Sequence, residues 1–227
     1  MSANRILSAT LLCAILVLFM SKLQAQDTIR PKIYLSSQPN ILLKTNPLSI
    51  LSGPLPLTSE YRIMVETTLS MKESIQLSVS YLGKNIILAM IEDSLYAQGT
   101  PVFRIQGYRF QFQYKYYFEQ YLDAPEGFYV SPHFSYSSAK IGFRNSITDP
   151  EYIRMENLNI NLLMGRQWNI DDWAFFDAFI GFGYKSNTWH EFDGTKLTKV
   201  KLTANDISPY FVSPFKFNLG FNFGIGF

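Results

Sequence analysis

Apolar and polar residues alternate with a period of two along most of this chain. The C-terminal segment shows the pattern most clearly, because odd positions from Phe215 to Phe227 carry Phe, Leu or Ile and even positions carry Lys, Asn or Gly. Successive side chains of a β-strand point to opposite faces, so the pattern predicts a strand with one apolar and one polar face. The run of 13 residues exceeds the usual strand length of about 5–6 residues.

Seven further segments show the same alternation and predict seven more strands. They cover residues 41–51, 57–66, 75–81, 109–118, 128–136, 157–165 and 174–184. Pro47 predicts a bulge or an interruption in the first of them. Before the fourth, a change of the apolar positions from odd to even predicts a bulge near Gly107. Residues 86–97 fit a short amphipathic helix better than a strand.

The connections between the predicted strands differ systematically in length. Long connections cover about residues 84–102, 139–152 and 186–213, whereas short ones lie near 68–72 and 169–172. Outer-membrane barrels have an even number of strands, short periplasmic turns and longer extracellular loops. The sequence therefore predicts an all-β fold, an eight-stranded antiparallel transmembrane up-and-down β-barrel. The expected location is the bacterial outer membrane, with the N-terminus periplasmic.

The two faces of these strands differ in a way that favours lipid on the outside. The apolar face is bulky on every strand and would overfill the interior of an eight-stranded barrel. It also carries no charge, which matters because a Lys or Arg facing lipid costs about 2–4 kcal/mol at the bilayer midplane. A soluble periplasmic carrier resembling a lipocalin, with its apolar face inside, is the alternative fold for the same alternation.

Composition excludes several classes of protein. The chain is 47% apolar with a net charge of +2, which excludes a disordered chain and argues against a nucleic-acid partner. The mean hydropathy of +0.01 excludes a bundle of transmembrane helices, but it averages an apolar face and a polar one. Aromatic residues make up 16% of the chain, which fits a lipid-facing surface with interfacial girdles. The single cysteine excludes a disulfide framework and a multi-cysteine metal site.

The N-terminal residues predict a secretory signal peptide over 1–25. Arg5 precedes an uncharged run from Ile6 to Met20, and Ala25 provides a small residue for cleavage. A retained N-terminal anchor is the alternative. Cys13 lies within the apolar run, so we expect no cysteine in the mature chain. Residues 26–40 are then a periplasmic lead, and residues 41–227 form the barrel. Removal of the signal peptide also removes its two basic residues, Arg5 and Lys22, so the mature chain has no net charge.

The C-terminal segment FNLGFNFGIGF resembles the insertion signal of bacterial outer-membrane proteins. Its key positions are Phe223, Ile225 and Phe227. The segments KTNPLSILSGPLPLTSEYRI (44–63) and GYRFQFQYKYYFEQYLDAPEGFYVSPHFSYSSAKI (107–141) resemble a small, uncharacterised family of outer-membrane barrels built like OmpA and OmpX. The resemblance implies the location, the barrel fold and the barrel assembly machinery as a partner, but no chemistry.

Several charged residues fall on the predicted inner face. Buried charges require partners, so we interpret them as an interior network of ion pairs and hydrogen bonds. A narrow pore or gate is the alternative, although an eight-stranded lumen is normally filled by its own side chains. The set comprises Glu60, Arg62, Glu66, Arg109, Lys115, His133, Asp177 and Lys216.

One pair of residues offers an alternative enzymatic function. His133 and Ser135 weakly resemble the His–Ser pair of outer-membrane lipid A deacylases, in which a carboxylate orients the histidine. Both fall on the predicted inner face, and the nearest acidic residues in the sequence are Glu126 and Glu151. We therefore expect no catalysis. No cofactor motif is present, the two histidines are too far apart for a metal signature, and His190 is predicted to lie in a solvated loop.

The last long connection carries a group of basic residues. Lys196, Lys199 and Lys201 could contact lipopolysaccharide phosphates, although an ordinary solvated loop is the favoured interpretation of these residues. The predicted partners are therefore outer-membrane lipid and lipopolysaccharide. The predicted function is a structural or surface-interaction role through the extracellular loops. The sequence names no ligand for these loops, and it leaves the oligomeric state open.

Overall fold

The computed structural model describes residues 39–96, 103–143, 151–171, 173–200 and 212–227, which include nine strands and two helices. The strands are β1 Ile41–Thr45, β2 Thr58–Ser70, β3 Glu73–Lys84, β4 Phe103–Tyr117, β5 Gly127–Phe143, β6 Tyr152–Ile170, β7 Ala174–Phe192, β8 Leu197–Val200 and β9 Phe215–Gly226. The helices are α1 Leu48–Leu51 and α2 Ile86–Tyr96. The signal peptide predicted over 1–25 and most of the lead predicted over 26–40 lie outside the described residues.

Eight of the strands form a closed antiparallel barrel, which confirms the predicted fold. Strands β1 to β7 pair in chain order, and β9 closes the ring between β7 and β1. The short β8 pairs only with the end of β7, so it extends a hairpin beyond the closed ring. The helix predicted over 86–97 is present as α2, and the side chain of Asn85 caps its first turn by accepting a hydrogen bond from the Ile87 amide at 2.9 Å.

The barrel has two different ends. Strands β2 and β3, β4 and β5, and β6 and β7 are joined at the turn end, where residues 71–72, 118–126 and 171–173 connect them. Phe227 also lies at this end, where its amide donates to the Ile41 carbonyl at 3.0 Å. The remaining connections, including α1, α2 and the β7–β8 hairpin, lie at the opposite end, which we call the loop end.

Large apolar side chains cover the outside of the barrel and form a continuous outer belt. On β6, for example, the outward side chains from Leu158 to Met164 are all apolar and exposed. The charged outward residues that flank this run, Glu156 and Arg166, are ten residues apart along β6. Ten residues of strand span about 33 Å, and a tilt of about 35–45° reduces this to about 25 Å along the barrel axis, which is the height of a lipid-facing band.

Aromatic residues mark both edges of the outer belt. At the loop end the edge is formed by tyrosines, and Tyr61 and Tyr81 lie in register on neighbouring strands with ring centroids 6.4 Å apart. At the turn end Trp168 stacks on Phe176, with ring centroids 5.4 Å apart. Among the described residues between these two edges, no outward side chain on a barrel strand is charged.

The predicted bulge near Gly107 is wrong. Strand β4 pairs with β5 in one continuous register on both sides of Gly107, which lies opposite Ala139. Odd positions therefore face inward throughout, and both Ile105 and Arg109 are buried. The apparent change of phase arises because the barrel continues beyond the outer belt, where the exterior becomes polar, as at exposed Arg104, and the interior becomes apolar.

The structure also corrects the predicted bounds of four strands. Strand β1 ends at Thr45, and Pro47 starts the one-turn helix α1, so the first strand is shorter than the predicted 41–51. Strands β5, β6 and β7 are longer than predicted, so much of the connections predicted over 139–152 and 186–213 is strand. His190 lies on β7 and not in a loop. None of the helices among the described residues is long and apolar enough to cross a membrane.

Candidate functional site: the barrel interior

A dense cluster of charged and hydrogen-bonding side chains fills the lumen near the turn end. Lys115 donates to Asp177 at 2.9 Å and to Glu66 at 3.1 Å, and Lys44 pairs with the same Glu66 carboxylate. Gln167 accepts hydrogen bonds from both lysines, at 2.6 and 2.8 Å. Each of the four charged side chains is at most 1% exposed. We call these five residues the turn-end cluster.

Two tyrosines complete the turn-end cluster. Tyr117 donates to Glu66 at 2.8 Å, and Tyr129 donates to Asp177 at 2.7 Å. The ammonium group of Lys115 also lies 4.4 Å from the centre of the Tyr129 ring. Two lysines balance two carboxylates, so the cluster has no net charge, as burial of ions requires. Because nearly every barrel strand contributes a side chain to it, the cluster closes the lumen at this end.

A second charged group lies further along the lumen, and we call it the middle cluster. Glu60 accepts two hydrogen bonds from Arg62, at 2.8 and 2.7 Å, in the bidentate geometry that makes such pairs strong. Arg109 donates to the same carboxylate at 2.8 Å and to the Ser135 hydroxyl at 3.1 Å. One carboxylate therefore serves two guanidinium groups, and this cluster carries an excess positive charge.

Lys216 adds to that excess. Its side chain points inward from β9, the residue is only 8% exposed, and none of the described residues accepts a hydrogen bond or forms an ion pair with its ammonium group. Together with Glu60, Arg62 and Arg109 it lines a cavity of about 420 Å³ in the middle of the lumen. Among the described residues that line the cavity, three cationic side chains face one carboxylate, which makes this cavity electropositive.

An apolar layer fills the lumen at the loop end. Its residues come from five different segments of the chain, so they meet across the barrel. Leu55 of the β1–β2 connection contributes, because the short β1 leaves room for residues 46–57 to fold over the lumen. The layer comprises Leu55, Leu82, Ala139, Met155 and Trp189. The cavity therefore lies between an apolar layer at one end and the turn-end cluster at the other.

The pair His133 and Ser135 is buried on the inner face, but the two side chains bond to other residues. His133 donates from Nε2 to the Gln111 amide oxygen at 3.1 Å and accepts at Nδ1 from the Asn161 amide at 2.9 Å, which assigns a neutral imidazole. The Ser135 hydroxyl accepts from Arg109 and, at 3.0 Å, from Asn159. This arrangement provides neither a His–Ser hydrogen bond nor a carboxylate on the histidine among the described residues.

All eight residues predicted for the interior network point into the lumen, and the structure divides them between two clusters. Glu66, Lys115 and Asp177 belong to the turn-end cluster. The other five line the cavity, namely Glu60, Arg62, Arg109, His133 and Lys216. The described residues contain no group of His, Cys, Asp or Glu that could hold a metal ion.

Sequence reasoning missed Lys44, Gln167 and Tyr117 of the turn-end cluster. The phase of each strand places all three on the inner face, so the signal was present. Lys44 was overlooked because the segment 41–51 alternates poorly, with apolar Leu42 also facing inward. Gln167 lies beyond the end of the strand predicted over 157–165, which the structure extends to 152–170. Tyr117 lies within the strand predicted over 109–118, where an aromatic residue on the otherwise polar inner face did not stand out as a partner for charged groups.

A row of basic residues crosses the outside of the barrel beyond the tyrosine edge. Lys140 lies opposite Arg154, Arg154 opposite His190, and His190 opposite Lys199 on successive strands. Directly opposite residues share one face of the sheet, so these four side chains, which we call the basic row, point outward together. The like charges of Lys140 and Arg154, which lie directly opposite each other, repel. Glu156, which bonds to Arg154 at 3.1 Å, offsets only part of the charge.

The three lysines predicted to contact lipopolysaccharide fall in different places. Lys199 belongs to the basic row. Lys196 lies in the β7–β8 turn, where its amide donates to Asp193 at 2.8 Å. This amide, together with the hydroxyl and amide of Thr195, lowers the pKa of Asp193 to about 2. Lys201 lies outside the described residues.

The residues of the predicted insertion signal lie on the outside of β9 at the turn end. Phe223 and Ile225 face outward and pair in register with Thr45 and Leu43 of β1. The amide of Phe227 extends the pairing of β9 with β1 through its hydrogen bond to Ile41. The ring of Phe227 is exposed.

The comparisons with known proteins concern the family and the fold. A solved structure described as a major outer membrane protein from Thermus thermophilus is similar over 82% of this chain and 97% of that chain, with 11% identity and a TM-score of 0.41. No curated protein matches the sequence. Residues 11–225 match the family described as "Protein of unknown function (DUF3575)". Because this match covers most of the chain, the protein belongs to the DUF3575 family.

Proposed function

We propose that this protein is an integral barrel of the bacterial outer membrane with a structural or surface-interaction role. The observation that carries the proposal is the outer belt, an uncharged apolar surface about 25 Å high between two aromatic edges. Soluble proteins rarely expose contiguous apolar patches of more than a few hundred Å². A lipocalin-like carrier needs its apolar face inside, whereas here the middle of the lumen is polar.

The proposed orientation places the turn end in the periplasm and the loop end outside the cell. Short turns on the periplasmic side and longer extracellular connections are the rule for such barrels. In this orientation Phe223, Ile225 and Phe227 remain at the periplasmic edge, where the barrel assembly machinery would contact them. The proposal includes no catalytic step, because His133 and Ser135 are engaged by amides and by Arg109.

The basic row supports lipopolysaccharide as the lipid partner in the outer leaflet. It lies just beyond the tyrosine edge of the outer belt, which is the depth of lipid head groups. Phosphate groups would neutralise the repulsion between side chains such as Lys140 and Arg154, and Arg and Lys both bind phosphate well. We therefore propose that the outside of β5 to β8 at this level contacts lipopolysaccharide phosphates.

Fractionation of cells producing the protein tests the proposed location. We expect the protein in the outer-membrane fraction, and we expect its migration in dodecyl sulfate gels to change on boiling, as folded barrels resist the detergent until heated. A protein with a removed signal should also run shorter than the full chain. Recovery of folded protein in the periplasmic soluble fraction would contradict the proposal.

Loss of the basic row should weaken lipopolysaccharide binding. The double substitution Lys140→Gln with Arg154→Gln removes two charges, each worth about 1 kcal/mol near an anionic surface, so we expect about thirtyfold lower affinity. Thermophoresis with purified lipopolysaccharide measures the change. The matched control, Lys72→Gln with Arg166→Gln at the turn end, should leave the affinity within about twofold. Equal losses in both double variants would overturn the assignment of the basic row.

A further inference from the structure

We propose that the cavity in the lumen binds the anionic head group of a single-chain amphiphile, whose acyl chain leaves through an opening in the barrel wall beside β9. The exit of the acyl chain into lipid, which we call the lipid route, rests on the membrane location proposed above. Three features of the structure carry the proposal, namely the charge of the cavity, the gap in the wall and the closure of both ends of the lumen.

The first feature is the unbalanced charge. Arg62 and Arg109 already share Glu60, so no carboxylate of the described residues remains for Lys216. Burial of a cation without a partner costs several kcal/mol, which natural proteins offset with a counter-ion. An anion seated in the cavity would provide the missing partner.

The second feature is a gap in the wall. Strand β1 pairs with β9 only along residues 223–226, because β1 ends at Thr45. Beyond that point the edge of β9 facing β1 has no backbone partner among the described residues, whereas its other edge remains paired with β7 as far as Phe215. The neighbouring space holds α1, and Asn46, which precedes this helix, donates a hydrogen bond of 3.2 Å to Asn222 of β9.

The cavity reaches this gap. Four consecutive residues of β9, 217–220, line the cavity. A strand face would contribute only every second residue, so the cavity contacts the edge of β9. Unpaired backbone at membrane depth is tolerated only where it lines a water-filled cavity or is buried in protein. The polar cavity beside this edge meets that condition, since water or a ligand there can bond to the free backbone groups.

The rim of the gap is apolar on its outer side. Leu48 and Leu51 of α1 and Phe217 and Leu219 of β9 line the cavity and are exposed on the outer surface. A ligand in the gap therefore meets cations on the inside and apolar side chains towards the lipid. This polarity matches an amphiphile with an anionic head and one hydrocarbon chain.

The third feature is closure of the lumen at both ends. The apolar layer and the turn-end cluster lie above and below the cavity, and each is formed by side chains from several strands. Among the described residues the gap beside β9 is the route that connects the cavity with the outside of the wall. The cavity has a volume of about 420 Å³, which lies in the range of small-molecule sites, about 300–1,000 Å³.

Native mass spectrometry of the full protein, purified from membranes in a non-ionic detergent, tests the proposal with three probes. Oleate supplies both the charge and the chain, oleyl alcohol supplies the chain alone, and inorganic phosphate supplies the charge alone. We expect one oleate per barrel, with oleyl alcohol and phosphate bound at least about tenfold more weakly. Phosphate bound as tightly as oleate would overturn the lipid route, and oleyl alcohol bound as tightly would overturn the role of charge.

Substitution of Lys216 gives the matched variant. Lys216→Met should lower oleate affinity at least about tenfold, because it removes the charge that has no internal partner. Lys72→Met removes a partly exposed lysine at the turn end, away from the cavity and the basic row, and should leave the affinity unchanged. Heat-modifiable migration checks that each variant is folded. If Lys216→Met does not fold, Lys216→Gln is used in its place. Unchanged oleate binding in a folded Lys216 variant would overturn the proposal, while a barrel that still fractionates with the outer membrane leaves the proposed function intact.

Discussion

Replacement of Glu66 by glutamine is expected to lower the free energy of unfolding by about 3–5 kcal/mol, the usual cost of removing one partner of a buried ion pair. Glutamine keeps the size of the side chain and can still accept the hydrogen bond from Tyr117. The negative charge and one acceptor oxygen are lost, which leaves Asp177 as the one carboxylate of the turn-end cluster for Lys44 and Lys115. The barrel would then bury one uncompensated ammonium group. Equilibrium unfolding in urea, with the protein folded into lipid vesicles, measures the change.

Glu156→Gln provides the control for this substitution. Its carboxylate pairs with Arg154 on the outside of β6, where both side chains are about one-third exposed. Exposed pairs contribute about 0–1 kcal/mol, so we expect little change. The double variant Glu66→Gln with Lys115→Met restores the charge balance and should be less destabilised than the sum of its single variants. A Glu66→Gln variant as stable as the control would contradict the ionic character of the turn-end cluster.

The substitution Leu162→Arg should destabilise the folded barrel in lipid by about 2–4 kcal/mol, the cost of an arginine near the bilayer midplane. Leu162 is 58% exposed on the outside of β6, where it lies between Pro132 and Phe182 of the neighbouring strands. The new guanidinium group would face hydrocarbon without a partner. The same unfolding measurement in vesicles gives the free energy.

Thr188→Arg is the matched control for the outer belt. Thr188 points outward from β7 opposite Glu156, beyond the tyrosine edge. Charged substitutions near the interface cost about 0–1 kcal/mol, so this variant should keep its stability. Equal effects of the two arginines would show that the level of Leu162 does not lie in lipid.

The eight strands of the barrel could be predicted from the sequence because lipid imposes a strict alternation on them. Every outward position between the aromatic edges must be apolar, so strands such as β6 and β9 show a period of two over many residues. The same physical rule predicts the inner face, and it is sufficient to place Glu60, Arg109 and Lys216 in the lumen without any knowledge of the pairing between strands.

The ends of the strands were harder to predict, because the rule changes where the barrel leaves the belt. Beyond Tyr108 the exterior meets water and the interior becomes apolar, so Arg104 faces out and Ile105 faces in. If apolar residues are assumed to face outward everywhere, their switch to the inner face is misinterpreted as a bulge or as the start of a loop. The basic row was missed for the same reason, since Lys140 and His190 lay in predicted loops.

The grouping of the inner residues could not be predicted from alternation alone. Phase shows that a side chain faces the lumen, but only the register between strands shows which side chains share a level. Lys44 meets Asp177 across the barrel because β1 closes against β9, and β9 in turn pairs with β7. Arg62 instead pairs with Glu60 on its own strand, which leaves Lys216 without a carboxylate in the part of the chain that the structure describes.

We expect the apolar outer belt to face lipid and the polar face of each strand to line the lumen. Spin labels at Ile160→Cys and Leu162→Cys, compared with Asn159→Cys and Asn161→Cys, test this expectation most directly when Cys13→Ser removes the native cysteine. In vesicles we predict high accessibility to oxygen and low accessibility to a water-soluble nickel complex at positions 160 and 162, and low accessibility to both at 159 and 161. Greater access of the nickel complex than of oxygen at 160 and 162 would contradict the account.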